Sequence, residues 1–151
     1  MDMPKYVRHS LVDIEPVLAA VSKGLEDRLL YQKKEKTKAV FNGQTVGVHS
    51  LRMQTFFVRG TTCKCCGLKA THFAIERSLA DERNNVNYHL NLWGINAAGE
   101  EVLFTHDHIL ARALGGRDHI DNCQTMCGTC NWEKGIVEGE LVKARKEKML
   151  P

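Results

Sequence analysis

Four cysteines in two Cys-x-x-Cys pairs frame the chemistry open to this chain. Cys63 and Cys66 lie in Cys63-Lys64-Cys65-Cys66-Gly67, and Cys127 and Cys130 lie in Cys127-Gly128-Thr129-Cys130-Asn131. Two such pairs are the usual means of closing a tetrahedral structural zinc site. Between them stands Thr105-His106-Asp107-His108-Ile109, then Gly115-Gly116, then Asn122. A zinc clasp around that stretch would hold a His/Asp/Asn set rigidly, as a catalytic metal centre requires. Cys65 and Cys123 remain over. Either can exchange into the metal site, but the expectation for both is a free buried thiol.

The run Asp107-His108-Ile109, Gly115-Gly116, Asn122, Cys127-x-x-Cys130-Asn131-x-x-Lys134-Gly135 resembles the HNH nuclease family. The likeness covers roughly residues 60–136. It is strongest to bacterial and bacteriophage members, in which a Cys-x-x-Cys-Gly knuckle precedes a strand like His89-Leu90-Asn91-Leu92. The resemblance implies an α+β fold built on a ββα-metal core with a structural zinc site. It also implies metal-dependent hydrolysis of DNA phosphodiester bonds.

That reaction needs a base for water, a cation for the developing charge, and groups that hold the phosphate. His108 is the candidate base, because imidazole titrates near neutrality. The hard carboxylate of Asp107 suits Mg²⁺ or Mn²⁺, and Asn131 can add an amide oxygen to the same ion. The family has His or Asn at this last position, so the chain reads as an H-N-N variant. Asn122 resembles the middle Asn that positions the base through a hydrogen bond; capping of its own loop is the rival reading. Lys134, one turn beyond Asn131, and Arg112 are the expected phosphate contacts. In relatives the segment after Asp-His-Ile tends to carry a proline and several basic residues. Here Leu110-Ala111-Arg112-Ala113-Leu114 offers Arg112 alone, which implies weaker phosphate binding at that loop. His106 can join the metal shell but reads better as an exposed strand residue, and His119 reads as solvated. Trp93 and Trp132 are expected in the core.

The elements that must position these groups follow from periodicity. Residues 12–31 read as a helix, with Pro16 in its first turn and Val17, Leu18, Val21, Leu25 and Leu29 on one face. That face either packs on the chain's own core or forms a homodimer. Residues 39–48 read as a hairpin around Asn42-Gly43. Residues 50–59 fit helix or strand. Strands are expected at 71–76, 88–96, 101–108 and, briefly, 122–126, and a helix from Gly128 to about Lys146 with Ile136, Leu141 and Val142 on its apolar face. The division is then an N-terminal helical, basic extension over 1–59 and a nuclease domain over 60–151.

Size and charge bound the alternatives. The chain has 151 residues, of which 43% are hydrophobic, enough for one core of ordinary size. No apolar run reaches the ~18 residues that span a membrane. The polar start is unlike a secretory signal, so the expected setting is cytoplasmic, in a bacterial or phage-infected cell. Residues 1–60 carry 10 Lys/Arg against 6 Asp/Glu, a balance of +4, and residues 61–151 carry 11 against 12, a balance of −1. A DNA partner therefore has to be argued from local clusters. Lys33, Lys34, Lys36 and Lys38 are one such run. The rival to a nuclease is a non-catalytic zinc module that binds DNA or protein, and RNA or branched DNA is a further possible substrate.

Overall fold

The computed structural model describes residues 5–31 and 36–149. The elements run β1 (Tyr6–Val12), α1 (Ile14–Tyr31), β2 (Lys38–Phe41), β3 (Gln44–Gly47), α2 (Leu51–Arg59), β4 (Ala70–Ser78), α3 (Leu79–Arg83), β5 (His89–Ile95), β6 (Glu101–His108), β7 (Cys123–Cys127) and α4 (Gly128–Met149). Five strands make one antiparallel sheet in the order β1-β4-β5-β6-β7, and β2 and β3 form a separate hairpin. The mixed α and β content is as expected from the sequence.

The two faces of the sheet follow from strand alternation. Phe73 and Ile75 on β4, Leu90 and Leu92 on β5 and Phe104 on β6 point to one side, and all five are buried. Val17 and Val21 of α1, Val46, Val48, and Met53 and Phe56 of α2 complete the same cluster. Helix α2 starts where the Ser50 hydroxyl accepts from the Met53 amide at 3.2 Å, a side-chain cap that resolves the helix-or-strand ambiguity of 50–59. Beyond the last registered pair, Leu92 with Phe104, β5 and β6 part, and the Leu90 carbonyl accepts from Arg52 Nη2 at 2.7 Å.

Strand β1 was not read from the sequence. It pairs with β4 from Tyr6↔Ser78 to Val12↔Phe73, with an irregularity between Arg8 and Ser10. On the face away from the core, Arg8 Nε donates to the buried Glu76 carboxylate at 2.8 Å. Asn91 and Trp93 donate to the other oxygen of Glu76 at 3.1 and 2.7 Å. Arg8 also donates to both Glu101 oxygens, at 2.9 and 2.7 Å. The buried charge is thus fully paired, and β1 is fixed to the sheet through side chains as well as through its ladder.

Residues 1–59 are therefore not simply a helical extension. They supply an edge strand and half of the hydrophobic cluster that the second half of the chain completes. The dimer reading of α1 is corrected on the same ground. Val17 and Val21 are buried, with Leu18 and Leu25 packed against the same core, so the stripe is used internally and only Leu29 stands clear. Of the lysine run, Lys36 and Lys38 are exposed, and Lys33 and Lys34 lie outside the described residues. Among the described residues no helix is long and apolar enough to cross a membrane.

Candidate active site

Both cysteine pairs meet. The Sγ atoms of Cys63, Cys66, Cys127 and Cys130 all lie within 4.8 Å of one another, and those of Cys66 and Cys127 are 3.9 Å apart. Tetrahedral Zn–S bonds of about 2.3 Å require S···S separations of about 3.8 Å, so four thiolates with no other donor suit zinc. The first pair sits in a knuckle. Gly67, at φ +79, turns the chain so that its amide reaches the Cys63 carbonyl at 3.0 Å. The knuckle is stitched to β7 by Lys64 N to the Thr125 carbonyl at 2.9 Å, and Thr125 Oγ1 donates to the Gly60 carbonyl at 2.6 Å. Burial pushes the Cys63 thiol up, but backbone amides of Cys66, Cys127 and Cys65 outweigh it and bring it down to about 6. Burial pushes Cys127 and Cys130 up. Such a mixed cluster holds protons that zinc must displace. Of the two remaining cysteines, Cys123 is buried as expected, whereas Cys65 is exposed on the knuckle.

Strands β6 and β7 form an antiparallel hairpin, with His108↔Cys123 at its open end, and α4 follows β7 without a break. Thr105, Asp107, Gln124 and Met126 share the face that α4 crosses; His106, His108 and Cys123 share the other. Asn131 Nδ2 donates to Thr105 Oγ1 at 2.8 Å, and one turn later Lys134 Nζ lies 3.1 Å from Asp107 Oδ2. Asp107 and Asn131 therefore border one gap between β6 and α4. Asp107 is buried at 7% exposure and also accepts from Gln124 Nε2 at 2.9 Å. The oxygen donors placed at the gap are the Asp107 carboxylate and the His108 carbonyl, with the Asn131 amide beside them through its bond to Thr105. These are hard ligands, suited to Mg²⁺ or Mn²⁺ once Lys134 withdraws.

Lys134, expected as a phosphate contact, is engaged within the chain. Besides Asp107 it donates to the His108 carbonyl at 2.9 Å and to Glu138. Burial lowers its pKa, but the bonds to Glu138 and Asp107 outweigh this and the net direction is up. The ammonium is the cation that neutralises Asp107 here.

His108 faces away from that gap. Its Nε2 is 2.8 Å from Asp118 Oδ1, and its ring packs edge-on against His106 at 5.5 Å. With a carboxylate as acceptor, Nε2 carries the proton and Nδ1 holds the lone pair that can take another. The same hydrogen bond holds the Asp118 carboxyl below its usual range. Asp118 escaped the sequence reading because it sits ten residues away, and only the fold of the intervening loop brings it back.

Asn122 makes that fold. Its side chain donates to the carbonyls of Leu110 at 3.0 Å and Arg117 at 2.8 Å, and accepts from the Leu110 amide at 2.9 Å. The resemblance implied a hydrogen bond from Asn122 to His108; in the structure the partner of His108 is Asp118, and Asn122 is bonded to Leu110 and Arg117. Asn122 closes the loop that presents Asp118. Gly115 turns that loop at φ +99, and Gly116 is required by contact: a Cβ there would lie 1.7 Å from the Leu110 carbonyl oxygen. Arg112 is exposed on the loop.

His106 lies on the opposite face of β6 from Asp107, outside the gap between β6 and α4. It is half-buried, with its pKa lowered by burial and then by His108 and Arg52. His119 is exposed and caps the turn at Asp121 through Nδ1. Trp93 packs partly buried against Glu76, but Trp132 is 70% exposed. The expected apolar face of α4 is likewise open, with Ile136 and Leu141 exposed.

No curated protein and no solved structure matches the chain. A family model described as HNH endonuclease matches residues 97–143, which hold β6, β7, the loop between them and most of α4, so over that stretch the chain is similar to HNH endonucleases.

Proposed function

We propose that the protein is a metal-dependent endonuclease that hydrolyses DNA phosphodiester bonds, with His108 as base and Asp107 and Asn131 as the cation ligands. The observation that carries this reading is the division of labour across β6. Consecutive residues place an oriented imidazole on one face and a buried carboxylate, beside an amide, on the other. Water is the nucleophile. Its oxygen forms a bond to phosphorus, its proton passes to His108 Nδ1, and the bond from phosphorus to the leaving oxygen breaks. Asp118 keeps the proton on Nε2 and stabilises the imidazolium as it forms. A divalent cation bound at Asp107 and Asn131 would supply charge stabilisation at the leaving oxygen.

The zinc clasp positions this apparatus. Cys127 ends β7 and Cys130 precedes Asn131 on α4, so the ion fixes the angle at which α4 leaves the hairpin. One such site per chain makes nicking the expected outcome for a monomer. The second reading, a zinc-stabilised binding module, draws support from Lys134, which neutralises Asp107 without any added ion. A plasmid nicking assay with Mg²⁺, Mn²⁺ or EDTA decides between them. Cation-dependent conversion of supercoiled to open-circular DNA supports the nuclease, and DNA binding without cutting supports the module.

A further inference from the structure

The balance of −1 over residues 61–151 conceals a local exception at the far end of α4. Its last turns carry Lys143, Arg145, Lys146 and Lys148 against Glu147, all exposed. Cations at a helix C-terminus complement the macrodipole, which alone would account for some of them. The placement of Arg112 adds something the dipole does not explain. The loop between β6 and β7 folds back so that Arg112, Ala113 and Gly115 face Val142, Arg145 and Lys146 across a cleft of about 420 Å³. Three cations from two distant segments thus line one concavity. Among the described residues none of the three forms an ion pair or a side-chain hydrogen bond. Asp118, a carboxylate that feels the charge of Arg112, is already bonded to His108.

Bringing three like charges together costs Coulomb energy unless an anion shares the space. The cleft is open to solvent, small on the scale of a macromolecule, and walled on one side by the loop that Asn122 and Gly116 hold shut. Arg145 lies 11 residues beyond Lys134 on the same helix, a rise of about 16 Å. That distance corresponds to about five base steps of duplex DNA.

We propose that the cleft of Arg112, Arg145 and Lys146 is a phosphate-binding site for the backbone of duplex DNA, separate from the gap between β6 and α4. This rests on the nuclease reading for its substrate. It adds that two of the three groups gripping the duplex come from the end of α4 and the third, Arg112, from the loop between β6 and β7. It also accounts for how the segment 110–114, in which Arg112 is the one basic residue, can serve: two more cations reach it from the helix.

The test uses zinc-loaded full-length protein in a His108→Ala background without added divalent cation, so that cutting does not disturb the readout. Binding to a duplex of random sequence is measured across a salt titration. Arg112→Gln/Arg145→Gln/Lys146→Gln should lower the slope of log K against log salt by about 2 to 3, since each phosphate contact contributes about 0.9. Lys143→Gln/Lys148→Gln, on the same helix end but outside the cleft, should lower it by less than about 1. All five residues are exposed, and unchanged zinc content and melting temperature verify that the variants fold. An unchanged slope in the triple variant overturns the proposal, as does an equal loss per charge in the control pair, which would mean diffuse attraction. Nicking by the otherwise wild-type chain is scored separately. A chain that does not nick but loses its slope in the triple variant refutes the nuclease and supports the cleft; one that nicks with an unmoved slope does the reverse.

Discussion

The Lys134 ammonium lies 3.1 Å from Asp107 Oδ2, against the carboxylate assigned to the catalytic cation. A divalent ion entering there has to displace it. An ion pair partly open to solvent is worth about 1 kcal/mol, so Lys134→Gln is predicted to tighten Mn²⁺ binding by about fivefold. Calorimetric titration of zinc-loaded protein checks this. Weaker binding in the variant would show that Lys134 assists the ion.

Zinc loss should be more damaging than loss of any catalytic group. Cys66 and Cys127 are separated by 61 positions in sequence, so an ion held by the four cysteines would tie the knuckle to the hairpin and helix. Cys127→Ser is predicted to reduce zinc from about one per chain to near zero and to lower Tm by about 10 °C or more. Elemental analysis and thermal melts measure both, and unchanged melting of the zinc-free variant would remove the clasp from the account.

The loop from 110 to 122 depends on two residues that hold it together from within, Asn122 and Gly116. Asn122→Ala strands the Leu110 and Arg117 carbonyls, and Gly116→Ala drives a methyl group into the Leu110 carbonyl. Each is expected to cost about 2 kcal/mol and to speed hydrogen exchange at the Leu110 amide. Nicking should fall with them, because Asp118 loses its place beside His108.

Stability should fall on the acid side of neutrality. His89 and His106 are both held below their ordinary value of 6.5, first by burial, with Arg52 adding to the effect. A histidine with a depressed pKa contributes its stability above pH 6.5 and loses it as pH falls through the folded-state value. Tm is therefore predicted to decline below pH 6.5, and His89→Gln/His106→Gln should make that decline shallower. An identical pH profile in the double variant would contradict the assignment.

The zinc set was legible because cysteine spacing is a local signal, and the strands at 70–78, 89–95 and 101–108 because their apolar residues alternate. What the sequence withheld depended on distant partners. Strand β1 is an edge strand whose Arg8 looks like a solvated charge until Glu76 and Glu101 are brought to it. Asp118 and Gln124 acquire roles only when the loop closes and the hairpin registers. Trp132, expected in the core, is turned outward by α4, since which face of a helix meets the sheet is set by packing and not by residue type. Lys134 reads from the sequence as a phosphate contact because its partner Asp107 lies 27 positions away and meets it only once α4 packs on β6.

The central claim is that His108 is the base of a cation-dependent nuclease, and plasmid nicking by His108→Ala beside wild type tests it most directly. With Mg²⁺ or Mn²⁺ present, wild type should convert supercoiled DNA to open circles. His108→Ala should be slower by roughly 10²-fold or more, with zinc content and melting unchanged. Cutting by the variant at the wild-type rate would contradict the account.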